Sequence, residues 1–305
     1  MDNNVYLSVI LAVYNNEQHL KVAIESVLNQ TYPYFELIIV NDGSTDKSGD
    51  IAKSFSDERI KYIEKNNTGL ADSLNIGIKI AKYSWIVRMD GDDICLSNRF
   101  QYLAQRISEH TDIVGSNAIF FKDNKRLFIS NMPLTNQQIL NALYKGKTGF
   151  IHPTVMIRKS LLEKVGGYDI NFKKGQDLNL WVRCIKFAKG FENIEIPLLY
   201  YRVYEKKKYS EYERIVNDYI TKCVFLLARV KPLNNEEYNK LRSLVEDIVP
   251  FEISIFLSKF RYMPILKYLP KIWTRLRMDN RGIKNVAEEF LCHFPSSSGT
   301  NNLFE

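Results

Sequence analysis

The first hundred residues alternate between continuous apolar runs and segments whose apolar positions have helical spacing. The runs Leu7–Tyr14 and Phe35–Asn41 predict strands that are buried on both faces of a sheet. The segments Glu17–Asn29 and Gly69–Lys82 carry their apolar residues on one side of a helix. Further elements are predicted as a helix over 47–54 and strands over 60–64 and 85–89. This alternation predicts an α/β fold whose parallel sheet is covered by helices on both faces.

The rest of the chain changes character twice. Between residues 112 and 204 the pattern predicts strands over 113–130, 153–157 and 194–203 and helices over 160–165 and 176–188. From about residue 209 the pattern becomes helical. We therefore predict a first domain over 1–208, with parts at about 1–112 and 113–208, a helical region over 209–293 and a disordered tail over 294–305.

Composition and charge narrow the class of protein. The 305 residues are 45% hydrophobic and 25% charged, which is typical of a globular chain. The four cysteines are scattered, which argues against a cysteine-based zinc site and fits a reducing compartment. No stretch reaches the roughly 18 apolar residues that a transmembrane helix needs, so we expect a cytoplasmic protein. The net charge of +7 favours an acidic partner, such as nucleic acid, anionic lipid or a phosphorylated small molecule, without choosing among them.

Two acidic turns directly follow predicted strands. Asp42 lies in the turn after the second strand, and Asp90-Gly91-Asp92-Asp93 follows the fourth. Ligands of open α/β sheets bind beyond the carboxyl ends of the strands. Clustered carboxylates suit Mg²⁺ or Mn²⁺ bound together with substrate phosphates, although a solvated acidic turn explains the cluster equally well. Asp42 is either a turn former or an acceptor for the N–H of a base or for a ribose hydroxyl.

Asp177 is the third candidate for a functional carboxylate. It lies in the first turn of the predicted helix over 176–188, directly after Gly175 and Gln176. The helix dipole favours a carboxylate at this position, which is a purely structural explanation. A carboxylate at the mouth of a cleft is also the simplest general base. The residue pattern leaves both explanations open.

Six segments in a fixed order resemble family 2 of the inverting glycosyltransferases. They are residues 8–15, 40–46, 89–93, 152–156, 166–169 and 176–181, and they span roughly 6–204. The resemblance implies a Rossmann-like nucleotide-diphospho-sugar transferase domain of the GT-A type, with a mixed, mostly parallel central sheet. It implies inversion by a single displacement, assisted by Mn²⁺ or Mg²⁺. The implied donor is a nucleotide-diphosphate sugar, most commonly of UDP, and the acceptor is a saccharide or lipid-linked hydroxyl in surface polysaccharide biosynthesis.

The resemblance also assigns roles to residues. It implies that Asp42 reads the base, that Asp90 lies near the ribose and that Asp92 holds the metal. It implies that Asp177 takes the proton from the acceptor hydroxyl. The residues expected to line the donor nucleotide are Ala12, Val13, Tyr14, Asn15, Asp42, Asp90 and Gly91. Contacts to the acceptor or the diphosphate are expected from His152, Gln176, Trp181, Arg202 and Lys206.

One motif departs from the family. Many relatives carry Arg-x-His near the end of the domain, whereas this chain reads Arg202-Val203-Tyr204. The basic run Lys206-Lys207-Lys208 follows directly, and it either closes over the diphosphate or forms a solvated loop. His152 either touches the acceptor or holds its strand by bonding to backbone. The departure leaves the role of the family histidine without an assigned residue.

The segment 253–278 carries six basic and no acidic side chains. Basic residues opposite aromatic and aliphatic ones indicate an interfacial membrane helix, which would bring the active site to a lipid-linked acceptor at an anionic membrane surface. The protein would then be peripheral at the inner face of the cell membrane. A helical cap packed on the first domain fits the same pattern. No nucleic-acid-binding module is recognisable, so nucleic acid is not expected as a partner.

Two other functions compete with the transferase. A nucleotidyltransferase of sugar activation also combines a nucleotide fold with carboxylate-bound Mg²⁺, but its Gly-rich, basic first loop is missing from Tyr14-Asn15-Asn16-Glu17. A non-catalytic nucleotide-sugar-binding scaffold predicts the loss of Asp92 or Asp177, and both are present. The transferase is therefore the leading hypothesis.

Overall fold

A nine-stranded sheet forms the centre of the fold. The computed structural model describes residues 5–144, 147–170, 172 and 175–204. The basic run 206–208 and the regions 209–293 and 294–305 lie outside the described residues, and the domain boundaries stay predictions. The strands are β1 (Leu7–Val13), β2 (Phe35–Asn41), β3 (Ile60–Glu64), β4 (Trp85–Asp90), β5 (Ile94–Cys95), β6 (Ile113–Lys122), β7 (Lys125–Ile129), β8 (Met156–Arg158) and β9 (Phe191–Arg202).

The strand order is β3-β2-β1-β4-β8-β6-β9-β5, and β7 pairs with β6. The first four strands in this order are all parallel. β8 runs antiparallel to both β4 and β6, and β6 is parallel to β9. The carboxyl ends of β1, β2 and β4 meet at one edge, since Ala12 pairs with both Val40 and Asp90. This mixed, mostly parallel sheet confirms the predicted fold class.

Helices cover both faces of the sheet. They are α1 (Leu20–Leu28), α2 (Ser48–Lys53), α3 (Leu70–Ile80), α4 (Arg99–Ala104), α5 (Asn136–Tyr144), α6 (Lys159–Val165) and α7 (Gln176–Ile185). Val9 and Leu11 of β1 join the core beneath α1, whereas Ile10 joins the core beneath α3. The apolar run of β1 is continuous because its alternating side chains enter two different cores.

The sequence pattern located the elements of the first ninety residues to within a few positions, and it missed β5, α4 and α5. The sequence pattern did not identify helix α5, in which only Ile139 and Leu143 of nine residues are buried. The predicted strand over 153–157 is wrong at its start: His152–Thr154 forms a 3₁₀ helix, and β8 begins at Met156. Proline at the second position of that helix explains the difference, since it lacks a ladder donor and its fixed φ suits a helix start.

Gly115 of β6 allows close packing of this strand against Asn193 of β9 and the Phe150 ring. It pairs in register with Asn193 of β9, and an added Cβ would lie in contact with the Asn193 side chain and 2.8 Å from Phe150 Cδ1. Asn193 Nδ2 donates to the carbonyls of Pro133 and Gly149 at 2.7 and 2.8 Å, so the clash would also disturb these bonds.

We expect Gly115→Ala to lower the free energy of unfolding by about 3 kcal/mol, because overpacking forces backbone or side chains to move. Urea unfolding of the full chain measures the loss. Lys125→Ala, a change on the exposed strand β7, is the control and should stay within about 0.5 kcal/mol of wild type. An unchanged midpoint for Gly115→Ala would contradict this account of the packing.

Candidate active site

The acidic turn predicted from the sequence lies at the carboxyl end of β4. Asp90 is the last residue of β4, and one carboxylate oxygen from each of Asp90, Asp92 and Asp93 lies within 4.8 Å of the others. Asp93 is 1% exposed, and its Oδ2 atom is buried without a hydrogen-bond partner among the described residues. A buried carboxylate oxygen without a donor is costly, so this atom calls for a positive or hydrogen-bonding partner.

Burial and mutual repulsion act together on these carboxylates. Burial raises the pKa of Asp92, and the charge of Asp90 raises it further. Burial also holds the pKa of Asp93 well above its usual range, with the charges of Asp90 and Asp92 adding to the effect. Nearby positive charge would relieve both effects. Clustered carboxylate oxygens are the ligands that Mg²⁺ and Mn²⁺ prefer, so these residues fit the metal that the resemblance implies.

A buried arginine lies beneath the acidic turn, and sequence reasoning missed it. Arg88 of β4 is 4% exposed and forms an ion pair with Asp90 through Nη1. Its charge lowers the pKa of Asp92, Asp93 and Asp177 against the larger effect of burial. The available signal was a charged residue inside the apolar strand predicted over 85–89, because a buried charge is almost always paired.

The carboxyl end of β9 is tied to the acidic turn by two hydrogen bonds of Arg202. The backbone N–H of Arg202 donates to Asp93 Oδ1 at 2.8 Å, and Arg202 Nε donates to the Asp92 carbonyl at 2.8 Å. Hydrogen bonding from Tyr204, two residues beyond β9, lowers the pKa of Asp92 against the larger effect of burial. The Arg202 guanidinium also lies 4.5 Å from the centre of the Phe121 ring. Arg202 therefore holds the acidic turn against β9, while Lys206 lies outside the described residues.

Asp42 directly follows β2, is buried, and accepts hydrogen bonds from the loop over residues 65–69. Its Oδ1 atom accepts hydrogen bonds from Lys65 Nζ and from the Thr68 N–H, the latter at 2.9 Å. Its Oδ2 atom accepts the Gly69 N–H at 2.9 Å. Gly69 has a φ of 101°, which favours glycine, at the start of α3. Lys65, which also pairs with Asp72, is a second residue that the sequence analysis did not identify.

The loop after β1 is held against the loop after β2. The backbone N–H of Asn15 donates to Ser44 Oγ at 3.0 Å, and Asn15 Oδ1 accepts the Thr45 N–H at 2.8 Å. Asn15 has a φ of 48°, a left-handed conformation that asparagine tolerates better than most residues. Tyr14 beside it is 51% exposed, so its ring is accessible to a ligand.

Ala12, Val13 and Gly91 lie between the two acidic turns. Ala12 pairs in the sheet with Asp90, and the Val13 carbonyl accepts the Asp42 N–H at 2.8 Å. A Cβ on Gly91 would lie 3.1 Å from the Asn16 side chain, so glycine permits the close approach of the two loops. The expected nucleotide-lining residues thus share one edge of the sheet.

Asp177 lies in the first turn of α7, two residues after Gly175, which has a φ of 71°. Burial raises its pKa, while the Leu178 N–H and the charge of Arg88 lower it. The charge of Asp90 in the acidic turn also raises the pKa of Asp177. A carboxyl whose pKa is raised accepts a proton more readily than an ordinary aspartate.

Buried aromatic and polar groups lie beside Asp177. His152 Nε2 and the Tyr168 hydroxyl are 2.8 Å apart, and the Trp181 ring packs edge-on against the His152 ring. Burial and the charge of Arg88 hold the pKa of His152 well below its usual value, so the imidazole is neutral at pH 7. Gln176 Oε1 and Trp181 Nε1 are buried without a hydrogen-bond partner in the described part of the chain. Both atoms are enclosed in the described structure, and the Trp181 side chain is fully buried.

Carboxylates gathered at the carboxyl edge of a mixed α/β sheet fit the class of nucleotide-sugar enzymes that the sequence resemblance implies. A sequence model described as glycosyl transferase family 2 matches residues 8–166, and the chain belongs to that family. The match contains Asp42 and the acidic turn, whereas Asp177 and β9 lie beyond it. Membership of this family favours the transferase over the nucleotidyltransferase and scaffold alternatives.

Proteins similar in sequence to this chain are also named as glycosyltransferases. The O-antigen biosynthesis glycosyltransferase WbnJ of Escherichia coli is 32% identical over 209 residues, which cover 66% of this chain and 80% of WbnJ. An uncharacterised glycosyltransferase of Methanocaldococcus jannaschii is 32% identical over 272 residues, which cover 86% of this chain and 87% of that protein. The chain is thus an enzyme of the glycosyltransferase class.

Solved structures share the fold at low sequence identity. S. aureus TarS 1-349 in complex with UDP-GlcNAc matches with a TM-score of 0.63 and 18% identity, over 95% of this chain and 82% of that one. The mannosyltransferase PcManGT from Pyrobaculum calidifontis, in complex with GDP-Man and Mn²⁺, matches with a TM-score of 0.55 and 14% identity, over 95% and 86%. In the described part of this chain, no helix has the length and apolar character needed to cross a membrane.

Proposed function

We propose that the protein transfers a sugar from a nucleotide-diphosphate sugar to a saccharide or lipid-linked hydroxyl in polysaccharide biosynthesis, with inversion at the anomeric carbon. The observation that carries the proposal is the position of Asp42 and the acidic turn at the carboxyl ends of β2 and β4, which meet at one edge of the sheet. The charges of Arg88 and Asp90 act on Asp177 as well, which supports its place near this edge. UDP is the favoured nucleotide because TarS was solved with UDP and UDP-GlcNAc. The name of WbnJ supports an envelope polysaccharide as the product.

Asp177 is the proposed base. Its carboxylate takes the proton of the acceptor hydroxyl while the hydroxyl oxygen bonds to the anomeric carbon. The bond between that carbon and the diphosphate oxygen breaks, and the nucleoside diphosphate leaves with the electron pair. One displacement of this kind inverts the anomeric centre and needs a single base, without a covalent sugar–enzyme intermediate.

The acidic turn is the proposed cation site. Asp92 would hold Mn²⁺ or Mg²⁺ with help from its neighbours Asp90 and Asp93, and the bound cation supplies Lewis acidity for the diphosphate leaving group. Arg88 keeps Asp90 oriented through their ion pair. The backbone N–H of Arg202 donates to Asp93 Oδ1, while Asp93 Oδ2 has no hydrogen-bond partner among the described residues. The proposed cation would supply the positive charge that this oxygen lacks.

The base of the nucleotide is proposed to lie between Tyr14 and Asp42. Three of the lone-pair sites of the Asp42 carboxylate already bind Lys65 and two backbone N–H groups. A carboxylate offers about four such sites, so one is left for a base N–H. Lys65, which pairs with Asp42, adds a cation on this side of the donor site.

The test measures nucleotide release from a panel of UDP-, GDP-, dTDP- and CMP-sugars with Mn²⁺, Mg²⁺ or EDTA. We expect cation-dependent release from one donor and a loss on the order of a hundredfold for Asp92→Asn, because charge stabilisation of the leaving group is removed. Asp50→Asn is the control, since Asp50 is exposed on α2. Calorimetry that detects no donor binding across the panel would contradict the proposal.

A further inference from the structure

The hairpin formed by β6 and β7 leaves one whole strand exposed. Among the described residues β7 pairs with β6 alone, and all five of its residues are exposed. Three of them are consecutive large apolar residues, with exposed fractions of 52% for Leu127, 53% for Phe128 and 40% for Ile129. Single exposed apolar residues are normal on a protein surface, but a run of three on one strand indicates a contact surface.

The exposed strand belongs to a well-ordered hairpin. Asp123 and Asn124 lie between the two strands with φ angles of 46° and 62°, the left-handed values that a tight two-residue hairpin turn uses. Phe128 stacks on Phe120 of β6, with ring centroids 4.5 Å apart and an angle of 13° between the rings. Phe120 in turn lies 4.7 Å from the Tyr201 ring of β9, measured between centroids. The apolar run is therefore presented by a strand that is paired and packed.

Two cations precede the apolar run. Lys125 and Arg126 are exposed at the start of β7. The charges of Lys122 and Asp123 at the turn lie 4.0 Å apart and offset each other, so two positive charges remain beside the apolar residues. Basic side chains next to exposed apolar ones match the two layers of a membrane surface, in which anionic phosphates lie above the acyl chains.

The hairpin lies at the same edge of the sheet as the acidic turn. β6 and β9 run parallel and pair up to Phe121 and Arg202. The backbone N–H of Arg202 donates to Asp93 Oδ1, and its Nε donates to the Asp92 carbonyl, both at 2.8 Å. Paired strands lie about 4.8 Å apart, so the hairpin turn begins one strand away from the residue that binds the acidic turn. A surface that binds the hairpin is thus held close to the candidate active site.

We propose that the β6–β7 hairpin docks on an anionic lipid surface, with the apolar run 127–129 at the acyl boundary and Lys125 and Arg126 at the headgroup phosphates. The inference deepens the proposed function and rests on it in one respect, since it makes a lipid-linked hydroxyl the acceptor. The hairpin is a different element from the segment 253–278, which lies outside the described residues.

Two other occupants fit the hairpin less well. A bound saccharide needs hydrogen-bond partners for its hydroxyls, and the side chains of Leu127, Phe128 and Ile129 offer none. A second copy of the chain could pair with the edge of β7, but charged residues on an edge strand are a common means of preventing such pairing. A lipid surface uses the two cations and the apolar run together.

The test is the partition coefficient of the full chain on vesicles of phosphatidylglycerol and phosphatidylcholine in equal parts, measured by sedimentation without donor. We expect Lys125→Gln with Arg126→Gln to lower it about thirtyfold at low salt, because each basic residue near an anionic surface contributes about fivefold. This loss should shrink as salt rises, since screening weakens such contacts. Leu127→Ser should lower the coefficient about tenfold at every salt concentration, because an exposed leucine no longer leaves water.

The matched control removes two exposed lysines from the opposite edge of the sheet. Lys79 lies in the last turn of α3, and Lys82 lies shortly before the amino end of β4. Lys79→Gln with Lys82→Gln changes the net charge by the same amount and should partition as wild type does. All these variants change exposed side chains, so their urea midpoints should match that of wild type.

The outcomes decide this inference separately from the proposed function, because vesicle binding is measured without donor and does not depend on transfer. The docking surface is overturned if wild type does not bind the anionic vesicles, or if the two double variants lose binding equally. Hairpin variants that bind as tightly as wild type would place the lipid contact elsewhere in the chain, which also overturns it. If wild type sediments as a dimer without lipid and Leu127→Ser as a monomer, a second copy covers β7 and the inference is wrong.

Discussion

Replacing Asp177 by asparagine should lower kcat for sugar transfer by about a thousandfold, within the range that a general base contributes. Asparagine keeps the shape of the side chain, but its amide cannot take the proton of the acceptor hydroxyl. Donor binding should change little, because the proposed nucleotide contacts lie at Tyr14, Asp42 and the acidic turn. Steady-state kinetics with the active donor, and calorimetry of donor binding, measure the two quantities separately.

The pH profile adds a second readout for Asp177. Burial raises the pKa of its carboxyl, and the base works only when deprotonated. As the pH falls, activity should therefore decline at a higher pH than an ordinary aspartate, with its pKa near 3.9, would give. Glu163→Gln, a change at an exposed residue of α6, should leave both kcat and the profile unchanged. A kcat for Asp177→Asn within tenfold of wild type would rule out its role as base.

Replacing Arg88 by methionine should lower the free energy of unfolding by about 3 kcal/mol. The change leaves the Asp90 carboxylate without its buried partner, and breaking a buried ion pair costs about 3–5 kcal/mol. The lower end applies because the Asp90 side chain is 26% exposed, whereas that of Arg88 is 5% exposed. Denaturant unfolding of the full chain measures the loss.

A double variant tests the cause of that loss. Arg88→Met with Asp90→Asn removes both charges, so it should recover about half of the stability, because much of the cost is the unpaired charge. Arg59→Met is the control, since its partner Asp57 is partly exposed and screened, and it should cost about 1 kcal/mol or less. If the double variant is less stable than Arg88→Met, the ion pair is not the source of the loss.

Local patterns predicted the first half of the fold well for a physical reason. β1 and β2 are buried on both faces, so their apolar runs are continuous, and α1 and α3 each bury one side. Both acidic turns were found because each follows a buried strand, β2 or β4. Helix α5 was missed because its apolar pattern is short, with only two buried residues among nine.

Most of the environment of the candidate site could not be predicted in this way. Arg88 looks like an interruption of an apolar strand until its partner Asp90 and the charge of Asp177 are known. The three hydrogen-bond donors to Asp42 come from a loop more than twenty residues further along the chain. These contacts of Asp42 depend on packing between distant segments, and periodicity carries no information about them.

The amino-acid sequence by itself determined the α/β class, the glycosyltransferase family resemblance and the carboxylates at the strand ends. These features follow from local hydrophobic spacing and from motifs that are read one segment at a time. The tertiary structure decided that Arg88 is the buried counter-charge, that Lys65 holds Asp42 and that Arg202 holds the acidic turn. The contacts of Lys65 and Arg202 depend on where the sheet brings separate strands and loops together. Arg88 and Asp90 are two residues apart on β4, and only the packing around that strand shows that they are buried together.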